Sequence, residues 1–146
     1  MISTRSFLLC LVVAAVSAIG PCDKEREKAQ QNQNILGLFV PECKASGTYK
    51  AKQCHEAYCY CVDPQGTQIK GTIFRYKDSP ESQCECAREK HYIQSHHLIG
   101  KLLSCDKFGD YRRSQCLGSV CHCVNPKDGS YIGNGVHITQ KDSLNC

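Results

Sequence analysis

Thirteen cysteines and six histidines are the residues of this 146-residue chain whose chemistry could set it apart. A thiolate can serve as a nucleophile or a metal ligand, an imidazole as a base or a ligand, and two thiols can close into a disulfide. The closely spaced pairs around Cys54, Cys59 and Cys61, and around Cys116, Cys121 and Cys123, would read as zinc motifs in a cytosolic protein. His91, His96 and His97 form the densest histidine group. Positions five and six residues beyond His91 do not share one helix face with it. A structural metal site also wants four ligands, and the thiols have another use. No metal and no cofactor are expected, and no residue set suggests an enzyme's nucleophile and base.

That other use follows from the compartment. Met1 to Ser6 carries one positive charge, Arg5, and an apolar run from Phe7 to Val16 follows. Small residues then lead to Gly20. This is the pattern of a secretory signal peptide, read as residues 1–20. Ala18 and Gly20 both fit as the last leader residue, and cleavage before Pro21 places Cys22 at the start of the mature protein. Cys10 leaves with the leader, so twelve cysteines remain for an oxidising, extracellular setting, where an even number reads as disulfides.

The twelve fall into two sets. Cys22, Cys43, Cys54, Cys59, Cys61 and Cys84 are followed by Cys86, Cys105, Cys116, Cys121, Cys123 and Cys146. The first pair is offset by 64 and each of the other five by 62. Gly47, Tyr49, Gln53, Val62, Pro64 and Gly71 recur at the same 62 offset as Gly109, Tyr111, Gln115, Val124, Pro126 and Gly133. A constant period of this size denotes tandem structural units. Units this small bury too little apolar surface to be comfortably stable unaided. Six cysteines allow fifteen pairings per unit. Cys59 and Cys61 flank one residue, so on an extended chain they face the same side and more naturally hold different partners.

Gln53-Cys54, Cys59-Tyr60-Cys61-Val62-Asp63, Pro64 and Gly66 resemble the signature of the thyroglobulin type-1 domain, and so do Gln115-Cys116, Cys121-His122-Cys123-Val124-Asn125, Pro126 and Gly129. The resemblance covers both copies. It implies sequential pairing: Cys22–Cys43, Cys54–Cys59, Cys61–Cys84, Cys86–Cys105, Cys116–Cys121 and Cys123–Cys146. Tyr60 and His122 stand where the family usually has Trp, and Asn125 where it usually has Asp. His122 is therefore read as a packing residue. The expected fold is a small disulfide-rich α+β module in two tandem copies, residues 21–84 and 86–146, each with a short N-terminal helix and a small antiparallel sheet.

The elements that would hold this framework can be read coarsely. Asp23 to Leu36 is rich in helix formers and Gly37 offers a stop; Ala87 to Ile99, with Gly100, is the matching stretch. Tyr58 to Val62 and Val120 to Val124 alternate as strands, and the segments from Asp63 and Asn125 turn by composition. The last third of each unit, including Gly133-Asn134-Gly135, reads as loop. Only Glu85 separates the units, too short a tether for free motion, although the angle between them stays open.

Charge divides unevenly: Pro21 to Glu85 is neutral overall and Cys86 to Cys146 carries +3. Sulfated glycans are a partner class consistent with that excess. No nucleic-acid or membrane partner is expected, and a monomer is. Some domains of the resembled family, the thyropins, inhibit papain-like cysteine proteases through three loops wedged into the active-site cleft. Carried over, the loops hold Leu38, Phe39, Val40 and Pro41; His55, Glu56, Ala57 and Tyr58; and Gln65 and Gly66. In the second copy they hold Leu102 and Leu103, then Leu117, Gly118 and Ser119, then Lys127 to Gly133. The expected function is a secreted inhibitor of extracellular or lysosomal-type cysteine proteases. The other reading is a non-inhibitory extracellular binding module, for matrix, growth factor, glycan or receptor, including a venom or gland-secretion role.

Overall fold

The computed structural model describes residues 19–32 and 34–146. The leader up to Ala18, with Cys10, lies outside the described residues. Two similar units follow one another. The first contains helix α1 (Pro21–Gln31) and a sheet ordered β1 (Lys52–His55), β2 (Tyr58–Cys61), β3 (Phe74–Arg75). The second contains helix α2 (Glu85–Ser95) and a sheet ordered β4 (Ser114–Leu117), β5 (Val120–Val124), β6 (Tyr131–His137). Both sheets are antiparallel. Short 3-10 turns follow β3 and β6.

The six disulfides join Cys22–Cys43, Cys54–Cys59, Cys61–Cys84, Cys86–Cys105, Cys116–Cys121 and Cys123–Cys146. Cys54 and Cys59 are directly opposed in the β1–β2 register, as are Cys116 and Cys121 in β4–β5. Cys59 and Cys61 are both buried while Tyr60 between them is half-buried and Tyr58 before them exposed, so the two cysteines share a face and take different partners.

Both helices are shorter at the C-terminus than the sequence reading. α1 ends at Gln31, where the Asn32 amide donates to the Lys28 carbonyl at 2.8 Å. α2 ends at Ser95. His97 takes a left-handed φ of 52°, its N–H reaches Gln94 O, and Leu98 N–H reaches Ile93 O. That pair of bonds is a Schellman stop, built here on His rather than on Gly100. The segment read as loop at Gly133–Gly135 lies within β6. A Cβ at Gly135 would come within 2.4 Å of the His122 ring, so glycine is what lets this strand pass over His122.

Two side-chain devices are repeated. Gln53 is buried, accepts from Glu42 N–H at 2.9 Å and donates to the carbonyls of Glu42 and Lys50. Gln115 does the same with Ser104 N–H and the carbonyls of Ser104 and Arg112. Each thereby clamps the segment just before Cys43 or Cys105. The Tyr49 hydroxyl donates to Glu25 of α1, and that of Tyr111 to Glu89 of α2 at 2.5 Å, tying each helix to the segment that precedes its sheet. Burial, followed by the adjacent carboxylate, raises the Tyr49 pKa to about 12 and raises that of Tyr111 as well. Burial opposes ionisation of Glu89, but its bonds from Lys101 and Tyr111 outweigh this and lower its pKa.

The units are not separate beads. Glu85, the residue between the two cysteine sets, is already the first residue of α2. Cys84 before it is fully buried and left-handed at φ 63°, a corner held by a bond from its N–H to the Asp110 carboxylate. The same carboxylate oxygen accepts from Gln83 N–H and Ser82 Oγ, and its other oxygen pairs with Lys127. A common core joins Ala51, Cys59, Cys61, Phe74 and Cys84 to Ala87, with Phe108 packed against it and edge-on to Phe74 at 5.4 Å. Arg88 of α2 is buried. It donates from Nε to Val62 O at 2.8 Å and from Nη2 to Tyr49 O and Asp63 O. Burial lowers its pKa, with Glu85 and Asp63 opposing that shift. Gly109 abuts the Cys61 sulfur so closely that an added Cβ would lie 2.5 Å from it.

Candidate functional site

In each unit the helix end, the chain before the second cysteine and the first β-turn form one exposed rim. In the first unit, His55 Nε2 donates to Gly37 O at 2.9 Å, and the Phe39 ring meets His55 edge-on at 5.8 Å and Tyr60 at 6.5 Å. Leu38 and Val40 are exposed at 37 % and 45 %. Pro41 is fully buried and so anchors the loop instead of presenting it. Glu56 and Ala57 form the two-residue turn between β1 and β2, with Tyr58 exposed beside them. Glu56 is left-handed at φ 54°, where the second unit has Gly118 at φ 58°. A non-glycine residue there costs on the order of 1 kcal/mol. Gln65 N–H is held by the Asp63 carboxylate, and Gly66 sits against the Tyr49 ring.

In the second unit the three candidate loops line one cavity of about 260 Å3, which Leu103, Leu117, Asp128, Gly129 and Tyr131 share. Leu102 and Leu117 are exposed, as are Gly118 and Ser119 at the turn. His122 is a packing residue here, its ring stacked on Tyr131 at 4.3 Å and 14°. Asn125 keeps the turn role of Asp63: its side-chain oxygen accepts from Lys127 N–H. The histidines of α2 are dispersed. His96 stacks on Tyr92 and bonds its carbonyl, His97 forms the helix stop, and His91 lies a turn earlier. Among the described residues no group of histidine, cysteine or carboxylate side chains could hold a metal ion.

The largest exposed features are ones the sequence reading placed inside helices. Ile35-Leu36-Gly37 and Leu98-Ile99-Gly100 form a matching tip at the end of each helix. Leu36 is 102 % exposed and Ile99 101 %. Both glycines are left-handed with nothing near them. Two apolar residues followed by Gly at an offset of 63 is a legible sequence signal, hidden by the two-residue difference between the first cysteine gaps.

Residues 22–86 match the thyroglobulin type-1 repeat. The whole chain is similar to U20-hexatoxin-Hi1a of Hadronyche infensa, with 31 % identity over 96 % of this chain and 98 % of that protein. The chain belongs to the thyroglobulin type-1 family. It is also similar to equistatin of Actinia equina, at 29 % identity over 83 % of this chain and 55 % of equistatin, and to thyroglobulin of Bos taurus, at 34 % over 60 % and 3 %. It thus spans about half the length of equistatin and a few per cent of thyroglobulin. The family match covers the first module, and the hexatoxin relative extends the similarity over the second, which shares the first one's disulfide order and sheet.

Proposed function

We propose that this protein is a secreted inhibitor of papain-like cysteine proteases, with modules at 21–84 and 86–146 that each present an apolar rim to the active-site cleft. The observation that carries this reading is the pair of fully exposed aliphatic tips, Leu36 and Ile99, on loops held by a disulfide and a glutamine clamp. Six disulfides suit an extracellular protein. An aliphatic side chain on a rigid loop can fill a substrate pocket with little ordering entropy to lose. The same rigidity keeps a nearby peptide bond from settling into the geometry of cleavage. Leu38, Val40, Glu56 and Tyr58 flank the tip in the first module; Leu102, Leu117 and Gly118 flank it in the second. Pro41, which is buried, serves the scaffold.

The test is titration of the mature protein against papain and cathepsins L, B and S, with an aspartic protease alongside. Inhibition of at least one cysteine protease at a defined stoichiometry is expected, reduced by Leu36→Asp or Ile99→Asp according to the module engaged. No inhibition at micromolar protein overturns the reading.

A further inference from the structure

We propose that the face of the second module beside the inter-module seam is a docking surface for anionic lipid. Two neighbouring concavities form it. A crevice of about 340 Å3 at the seam is lined by Lys70 of the first module, Lys90 and His91 of α2, and Lys107 from the turn after Cys105. An apolar groove of about 560 Å3 is lined by Ile93, Leu98, Ile99, Leu102 and Leu103. Lys90 and Gln94 line both, so the cationic and apolar halves are continuous.

The crevice carries an excess of positive charge, three lysines against one carboxylate. Lys70, Lys90 and Lys107 are exposed and take part in none of the ion pairs among the described residues. The one carboxylate in the crevice lining, Asp106, is turned inward and accepts from the N–H groups of Phe108 and Asp110. Glu89 nearby is occupied by Lys101 and Tyr111. Three cations converge there from segments far apart in sequence, which is why no basic run marks the site.

The apolar half selects the partner. Ile99 is wholly exposed and Leu102 is 89 % exposed, beside the cations. A sulfated glycan uses the lysines and leaves these side chains in water. A lipid surface takes both, since the binding of peripheral proteins combines buried apolar area with attraction to anionic headgroups. The sequence reading expects no membrane partner. Among the described residues no helix is long and apolar enough to cross a membrane, and a surface contact needs none. The first module has the matching tip at Leu36, which lines neither concavity.

The experiment is co-sedimentation of the full mature chain with phosphatidylcholine vesicles, with and without about 30 % phosphatidylserine, at low and physiological salt. Binding only to the anionic vesicles, weakened by salt, is expected. The triple variant Lys70→Gln, Lys90→Gln, Lys107→Gln lowers partitioning by about 100-fold, about fivefold for each lysine. Ile99→Asp with Leu102→Asp lowers it by at least about tenfold, whereas Leu36→Asp leaves it unchanged. Absence of vesicle binding, binding that survives the triple variant, or equal loss with Leu36→Asp overturns the proposal. Retention on heparin without vesicle binding, indifferent to Ile99→Asp and Leu102→Asp, also overturns it and assigns the crevice to sulfated glycans. Protease inhibition by the triple variant is unaffected, which separates this proposal from the preceding one.

Discussion

The two modules share a covalent frame and differ where they touch. Disulfide order, glutamine clamp, Tyr–Glu pair and apolar tip occur in both. The seam residues do not. Arg88 corresponds to Lys24, Phe108 to Ser46, and Asp110 to Thr48. On the other side, Ala51 of the shared core corresponds to the exposed Arg113. The last disulfide shows the consequence. Cys61–Cys84 is wholly buried beneath Phe108, whereas Cys123 is half-buried and Cys146 exposed. Repetition thus maintains the fold of each module, and divergence at a few positions builds one asymmetric interface.

The largest effect that would break this comparison is at Arg88. Arg88→Ala strips donors from three carbonyls, two of them bonded at buried sites, and should cost about 3 kcal/mol. Lys24→Ala at the matching position should stay within about 0.5 kcal/mol. Thermal and urea melting without reductant measures both, and equal costs would show that the seam adds nothing. Phe108→Ala opens the shared core and should cost about 2 kcal/mol, against a near-neutral Ser46→Ala. It should also make Cys61–Cys84 more accessible to limited reduction, followed by alkylation and mass spectrometry.

Where the modules agree, paired substitutions should agree. Gln53→Ala and Gln115→Ala should each cost about 2 kcal/mol, because each leaves backbone groups of its clamp unpaired. Tyr49→Phe and Tyr111→Phe should each cost about 1 kcal/mol at neutral pH. Their pH dependence has a definite sign. A folded pKa above the ordinary tyrosine value of 10.0 gives stability that is full below pH 10 and is lost as pH rises toward about 12 for Tyr49, and higher for Tyr111. The double Phe variant should therefore lose less stability over that window. Glu89 acts at the acid end: its lowered pKa contributes stability above its ordinary 4.5 that is lost as pH falls below it. The smallest effect is at the turn, where Glu56→Gly should gain about 0.5 kcal/mol and Gly118→Ala should lose about 1 kcal/mol.

Much of each module was legible because its signals are local. The spacing of Cys59 and Cys61, the alternation along β2 and β5, and the turn at Asp63 need only neighbouring residues. The helix ends were misread for a physical reason. Gly37 and Gly100 look like stops, yet an Asn32 side-chain bond and a left-handed His97 end the helices earlier and free the residues that become the tips. The Gly133–Gly135 segment gave no strand signal because it sits in an irregularity of the β5–β6 ladder, between the paired Ile132 and Val136, with the His122 ring close to Gly135. Gln65, Gly66 and Pro41 were carried over by position; Pro41 is buried, whereas Gln65 is exposed on a turn held by the Asp63 carboxylate.

From the sequence by itself came the tandem unit, its twelve-cysteine frame and the family to which it belongs. Covalent spacing carries that information without any need to know where distant segments lie. The angle between modules, the burial of Arg88 and the convergence of Lys70, Lys90 and Lys107 were decided only in the tertiary structure. They depend on the left-handed corner at Cys84, which sets how α2 meets the first sheet, and on contacts between residues dozens of positions apart that no local pattern records.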